Sequence, residues 1–309
     1  MARSVLITGG AGFIGSAMVA QLSAQGYEVH VLDDLSFGRR ELAAVPDDRF
    51  IHMDIRDRSA VLEALARLRP QWVLHLAALH FIPYCNAHPT EAAEVNIMGT
   101  VNVLDACEAA NGVRHVFVAS TAAVYPIKDD AIAETVGPGP MDIYGITKLA
   151  TERIAGEFHH RTKIPVVVGR FFNAFGPNET NPHLIPEIQR QVLAGQRTLK
   201  LGNLDPKRDF IHTADMSQAV IALLEAGLGG FEVFNIGRGI EYSVREVVEA
   251  FARQLGEPLS IKVDPARVRN VERMHLLADV SKLRKATGWE PRWGLDEGVA
   301  TLLQEVPLP

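Results

Sequence analysis

The chain is poor in the features that would place it in several broad classes. It has two cysteines, Cys85 and Cys107, in 309 residues, too few for a disulfide framework and without the paired spacing of a structural zinc site. A reducing, cytoplasmic setting fits that scarcity. No apolar run is long enough for a bilayer-spanning helix, and a strand-like run begins within a few residues of Met1, so neither a membrane span nor a signal peptide is expected. Basic residues are not in excess: 31 Lys and Arg against 37 Asp and Glu give a net charge of -6. The two signs are mixed along the chain, leaving no basic stripe for nucleic acid and no polybasic patch for a membrane surface. His80, His88, His159, His160 and His275 stand at no ligand spacing, so no metal site is expected.

What the chain has is apolar content, 47% of its residues, enough to bury a large core and to build two lobes. Val5, Leu6 and Ile7 read as a buried parallel strand, followed by Gly9, Gly12 and Gly15 at three-residue spacing and a helical pattern from Ser16 to Gln25. Glycine suits such a turn because a side chain would force a disfavoured φ or keep a phosphate from the N–H groups at the helix start. The spacing is a variant of the usual dinucleotide-binding fingerprint. A second strand, Glu28 to Leu32, stops at Asp33-Asp34, where a dinucleotide fold places its acceptor for a ribose 2′-OH. Asp33 therefore favours NAD over NADP, with Arg39 and Arg40 as the competing sign for a 2′-phosphate.

Strand-like and helix-like runs continue to alternate, as in a parallel sheet covered on both faces. Arg49 to Met53 reads as a third strand, Ser59 to Leu68 as a helix, and Trp72 to Leu76 as a fourth strand ending in Ala77-Ala78, small enough to admit a flat ligand. Asp54 suits either an adenine amino group or a helix N-cap. Glu91 to Ala110 is a long helical stretch interrupted by Gly99, and His115 to Ala119 is a fifth strand leading into Ser120 and Thr121. Tyr144 and Lys148, four residues apart in a helical segment, share one face. A close ammonium and a cationic nicotinamide would both favour a phenolate; a shift of about 3 units needs roughly 4 kcal/mol.

Together these stretches resemble the extended short-chain dehydrogenase/reductase family, in its NAD-dependent nucleotide-sugar epimerase and dehydratase branch. The resemblance rests on Thr8 to Ser16 (TGGAGFIGS), Asp33 to Ser36, His75 to Ala78, Tyr144-x-x-x-Lys148 and Arg170 to Pro177 (RFFNAFGP). It implies an α/β, Rossmann-type doubly wound parallel sheet with a smaller C-terminal α/β substrate lobe. Residues 1–175 would form the NAD-binding domain, with segments near 204–237 returning to it, and residues 176–309 the nucleotide-sugar lobe. The cofactor would meet Gly9, Gly12, Phe13, Ile14, Gly15, Asp33, Asp34, Asp54, Ile55, Leu76, Ala77, Ala78, Tyr144 and Lys148.

The resemblance also assigns the chemistry. Thr121, four residues before Tyr125, takes the position of the hydroxyl that bonds the reacting sugar oxygen, with Ser120 in support. Dehydratases and uronate decarboxylases of this kind carry an acid within the next two positions, and here those are Ala122 and Ala123. Water elimination lacks its acid, whereas oxidation and reduction at one carbon need none. The expected function is therefore C4 epimerisation of a UDP-hexose or UDP-N-acetylhexosamine. Alternatives are a UDP-uronate 4-epimerase, a dehydrogenase, reductase or dehydratase of the same family, and an idle sensor or scaffold of the same fold. Substrate contacts are expected from Asn173, from His183 and Leu184 in a segment whose usual asparagine is replaced by the histidine, and from Arg208 and Arg269 on a diphosphate. Pro126 departs from the family's usual glycine after Val-Tyr. The Gly176 to His183 loop offers no arginine to a uronate. A homodimer packed through Glu91 to Ala110 and Tyr144 to His160 is the expected assembly.

Overall fold

The computed structural model describes residues 3–179, 181–268 and 273–304. Its centre is a sheet that, among the described residues, has seven strands, all in parallel register. These are β1 (Ser4–Thr8), β2 (Glu28–Asp33), β3 (Phe50–His52), β4 (Trp72–His75), β5 (His115–Thr121), β6 (Val166–Phe171) and a late strand, Phe231–Ile236, which lies beside β6. Near-continuous apolar runs such as Val116 to Ala119 and Val166 to Val168 form these strands because both faces of the sheet are buried. From β1 the chain steps outward to β2 and β3, and from β4 it steps the other way to β5 and β6. The reversal between β1 and β4 opens a crevice at their carboxyl ends, the usual ligand position in open α/β sheets.

The covering helices are α1 (Phe13–Ala24), α2 (Arg58–Leu68), α3 (Ile82–Ala87), α4 (Pro89–Ala93), α5 (Gly99–Ala109) and α6 (Ile143–Thr162). The first helix starts at Phe13, earlier than the expected Ser16, because the glycine turn is tight enough for helical bonding to begin at once. Gly99 does not interrupt the 91–110 stretch: a π-helical turn, Glu94–Met98, joins α4 to α5. A Cβ at Gly99 would lie 2.4 Å from Ile55 Cδ1, so glycine there serves close packing. Asp54 is not a helix cap; Asp57 caps α2 by accepting from Ala60 N.

The remaining elements form a smaller lobe and return strands. They are β7 (Asn173–Phe175), α7 (Leu184–Leu193), β8 (Thr198–Leu201), β9 (Lys207–His212), α8 (Thr213–Glu225), β10 (the Phe231–Ile236 strand), β11 (Glu241–Ser243), α9 (Val244–Leu255), β12 (Ser260–Val263), α10 (Ser281–Thr287) and α11 (Leu295–Leu303). Ile188, Leu199, Val247, Phe251 and Val299 are buried at the centre of this lobe. No helix among the described residues is long and apolar enough to cross a membrane.

Candidate active site

A cavity of about 1190 Å³ lies between the crevice of the large sheet and the smaller lobe. One wall is the glycine turn. Gly9 has φ +75, and a Cβ on Gly15 would sit 2.0 Å from Gly9 O, so turn and helix can touch only without side chains. Asp33, buried at the end of β2, accepts from Ala11 N and Leu35 N, both at 2.9 Å, and so holds the turn from beneath. Arg40 turns away to Ala43 O, Val45 O and Asp47, and neither Arg39 nor Arg40 lines the cavity.

The strand end after β4 is set by a buried polar chain. Ala77 N donates to Thr8 Oγ1, which lies 2.8 Å from His75 Nδ1; His75 Nε2 lies 2.9 Å from Thr100 Oγ1, which donates to Asn96 O. Burial holds the His75 imidazole down at about 3, so it bridges the two threonines as a neutral ring. Asn96, in the π-turn, brackets Leu79 by accepting from its N–H and donating to its carbonyl, and it also donates to Thr147 of α6. Such turns project a side chain off the regular helical path and recur at functional sites.

Helix α6 supplies the opposite wall. Asp142 caps it through Gly145 N at 2.7 Å. A Cβ on Gly145 would lie 2.6 Å from Ala123 O, so the glycine lets the first turn rest against the Thr121–Val124 segment. Tyr144 consequently stands beside Thr121, with Lys148 one turn on, and all three line the cavity. Burial pushes the Tyr144 phenol up, while the Thr121 hydroxyl beside it pulls the other way. The expected phenolate is thus not favoured by the surrounding protein, because desolvation dominates. Lys148 is 2% exposed; burial brings its ammonium down to about 8, opposed by the negative charge of Glu152.

Every site residue expected from sequence that falls within the described residues lines this one cavity: Gly9, Gly12, Phe13, Ile14, Gly15, Asp33, Asp34, Asp54, Ile55, Leu76, Ala77, Ala78, Thr121, Tyr144, Lys148, Asn173, His183, Leu184 and Arg208. Arg269 lies outside them. The glycine turn after β1 and the Thr, Tyr and Lys triad converge on one crevice. A family model described as GDP-mannose 4,6 dehydratase matches residues 6–302. The chain belongs to this NAD-dependent nucleotide-sugar epimerase and dehydratase family. It is 33% identical to the UDP-glucose 4-epimerase of Corynebacterium glutamicum over 305 residues, covering 93% of this chain and 90% of the relative. The solved UDP-glucose 4-epimerase of Thermus thermophilus, in complex with NAD, superposes with TM-score 0.85 at 32% identity, covering 97% of each chain. MoeE5, solved with UDP-glucuronic acid and NAD, gives TM-score 0.84 at 33% identity, covering 96% of this chain and 97% of that one.

Glu152, Glu179, Asn235, Arg267 and Arg273, which sequence reasoning missed, now have a place beside the expected Ser120 and Pro126. Glu152 and Arg170 form a buried pair at 2.7 Å, and Ser120 donates to the same carboxylate at 2.6 Å. The Arg170 guanidinium lies 4.7 Å over the Tyr125 ring, whose hydroxyl donates to Asn235 at 2.6 Å. Pro126, the departure from the family's glycine, packs against Gly139 and accepts from Arg273. Arg267 and Arg273 also line the cavity, so arginines reach it from a segment other than the 176–183 loop. His80 is brought together with Glu179 and His183, which no spacing in the sequence suggests. Only the tertiary partners of these residues, remote in sequence, give them away.

Proposed function

We propose that the chain catalyses NAD-dependent epimerisation at C4 of a nucleotide sugar, a UDP-hexose or UDP-N-acetylhexosamine, through a 4-keto sugar. One observation carries the reading: Thr121, Tyr144 and Lys148 face one cavity with Ala122 and Ala123, not an acid, following Thr121. The glycine turn, Asp33, Ile55 and Ala77 would hold NAD; a Cβ at Gly9 or Gly15 would strike the backbone at Ala77 or Gly9 and so disrupt the turn that presents its N–H groups. Bound NAD supplies a hydride acceptor and donor and, when oxidised, a cationic ring.

The protein's own part is proton handling and positioning. Tyr144 takes the proton of the sugar 4-hydroxyl, and Thr121 bonds the same oxygen. The Thr121 hydroxyl opposes the burial that raises Tyr144, and the Lys148 ammonium, with a value of about 8, would add positive charge one helical turn away. The diphosphate is held by Arg208, with Arg269 as a second guanidinium, and by the backbone where α7 begins at Leu184. The 4-keto ring turns about this anchor, and Tyr144 returns its proton as the opposite face is reduced. The cavity of about 1190 Å³ exceeds the roughly 300–1,000 Å³ of clefts for one small ligand, in keeping with a dinucleotide and a sugar nucleotide bound together.

The test is proton NMR in D2O with UDP-glucose, UDP-N-acetylglucosamine or UDP-glucuronate and catalytic NAD. Conversion to the 4-epimer without ring deuteration is expected; dependence on stoichiometric cofactor, or deuterium beside C4, would sink the reading. Tyr144→Phe should lower kcat by about 10²–10⁴ while sugar-nucleotide binding survives. A uronate substrate is the second reading, favoured by Arg273 lining the cavity beside Arg208. We further propose a homodimer through α5 and α6 and the turn joining α4 to α5, which leave Met98 54% and Ile146 50% exposed. Sedimentation should show a dimer that Ile146→Glu converts to monomer.

A further inference from the structure

His80, Glu179 and His183 each present one ligand atom, and these atoms lie within 4.8 Å of one another. They come from both sides of the cleft. His80 follows β4 of the large sheet, whereas Glu179 and His183 belong to the segment that leads into α7. All three line the rim of the cavity.

The chemistry of the cluster is that of converging acceptors. His80 offers an imidazole nitrogen, Glu179 a carboxylate oxygen and His183 a second imidazole nitrogen. Asn181, itself buried, directs its amide nitrogen at His80 Nε2 (3.0 Å) and at Glu179 Oε1 (3.4 Å), and its backbone N–H also donates to Glu179 Oε1 at 3.0 Å. The Asn181 amide thus bridges an imidazole and a carboxylate that converge on one point. Two imidazoles and one carboxylate suit zinc-class divalent ions more than calcium or magnesium, which prefer all-oxygen shells. Bonds of about 2.0–2.2 Å in tetrahedral array place donors about 3.4 Å apart, so closing on an ion requires rotations of roughly an ångström and displacement of the Asn181 amide.

We propose that His80, Glu179 and His183 form a divalent transition-metal site at the cavity rim. Three protein ligands leave a further position open toward the cavity for water or an anionic oxygen. Occupancy ties Glu179 and His183 to His80, beyond the end of β4, and so links the two walls at the mouth.

The experiment is Co2+ titration of the NAD-loaded, chelator-treated enzyme, followed by visible absorption and equilibrium dialysis. One Co2+ per chain with a visible ligand-field band, displaced by Zn2+, is the expected result. His80→Ala and Glu179→Gln should each weaken binding more than about 100-fold, and Asn181→Ala about 10-fold or less, since an outer partner contributes less than a ligand. His88→Ala, outside the cluster, should bind as the parent does. Absence of stoichiometric binding at micromolar metal, or binding unchanged in both His80→Ala and Glu179→Gln, overturns the proposal. Glu179→Gln, nearly isosteric, decides the matter where His80→Ala fails to fold. Metal content is read independently of turnover, so failure here leaves the epimerase reading intact.

Discussion

At the scale of single residues, the electrostatics around Tyr144 and Lys148 lead to a pH dependence. Burial lowers Lys148 to about 8, so its ammonium is present below that pH and lost above it. If that charge sustains the Tyr144 phenolate, kcat falls as pH rises through about 8. Glu152 opposes the shift, so Glu152→Gln should move this alkaline limb to lower pH; a pH profile of kcat for parent and variant checks it. Tyr144 and Lys148 were legible in the sequence because helical spacing alone puts them on one face. The role of Glu152 was not, since Ser120 and Arg170 reach it only after three elements have packed.

At the scale of elements, β5, α6, β6 and β10 are tied by one buried polar network through Ser120, Glu152, Arg170, Tyr125 and Asn235. Its carboxylate and guanidinium are respectively 4% and 6% exposed, deep enough that removing one partner strands the other. Arg170→Leu should therefore destabilise the protein by about 3–5 kcal/mol, measurable as a lower urea midpoint without a change in m. The strands themselves were readable from apolar runs, and α6 from Tyr144 onward. The π-turn at Glu94–Met98 was not, because its cause is Asn96 bonding across to Leu79 and Thr147, not any local preference.

At the scale of the whole molecule, buried titratable groups set the acid limit of stability. Burial depresses His75 to about 3 and His212 to about 4, below the 6.5 of an unfolded histidine. The unfolded chain then binds protons that the native state refuses, and stability is lost as pH falls from about 6.5 toward 4. Asp209 works in the opposite sense: burial raises it to about 6 against three backbone donors, so its contribution is lost as pH rises through the 4–6 window. Burial raises Asp33 and Asp215 in the same sense as Asp209, while Glu187, Glu246 and Asp279, lowered by their hydrogen bonds, side with the histidines; the midpoint in urea should drop between pH 6.5 and 4, and His75→Gln should flatten that slope.

Taken by itself, the sequence determined the alternation of strands and helices, the glycine turn, the acid at the end of β2 and the Tyr-Lys pair, because each depends on neighbours within a few residues. Only the tertiary structure decided that these stretches meet at one cavity, that Arg267 and Arg273 reach it from late in the chain, and that His80 faces Glu179 and His183. Those outcomes depend on strand order and on contacts such as that of Arg273 with Tyr125, 148 positions apart, where local spacing carries no information and packing of the buried faces sets which side chains meet.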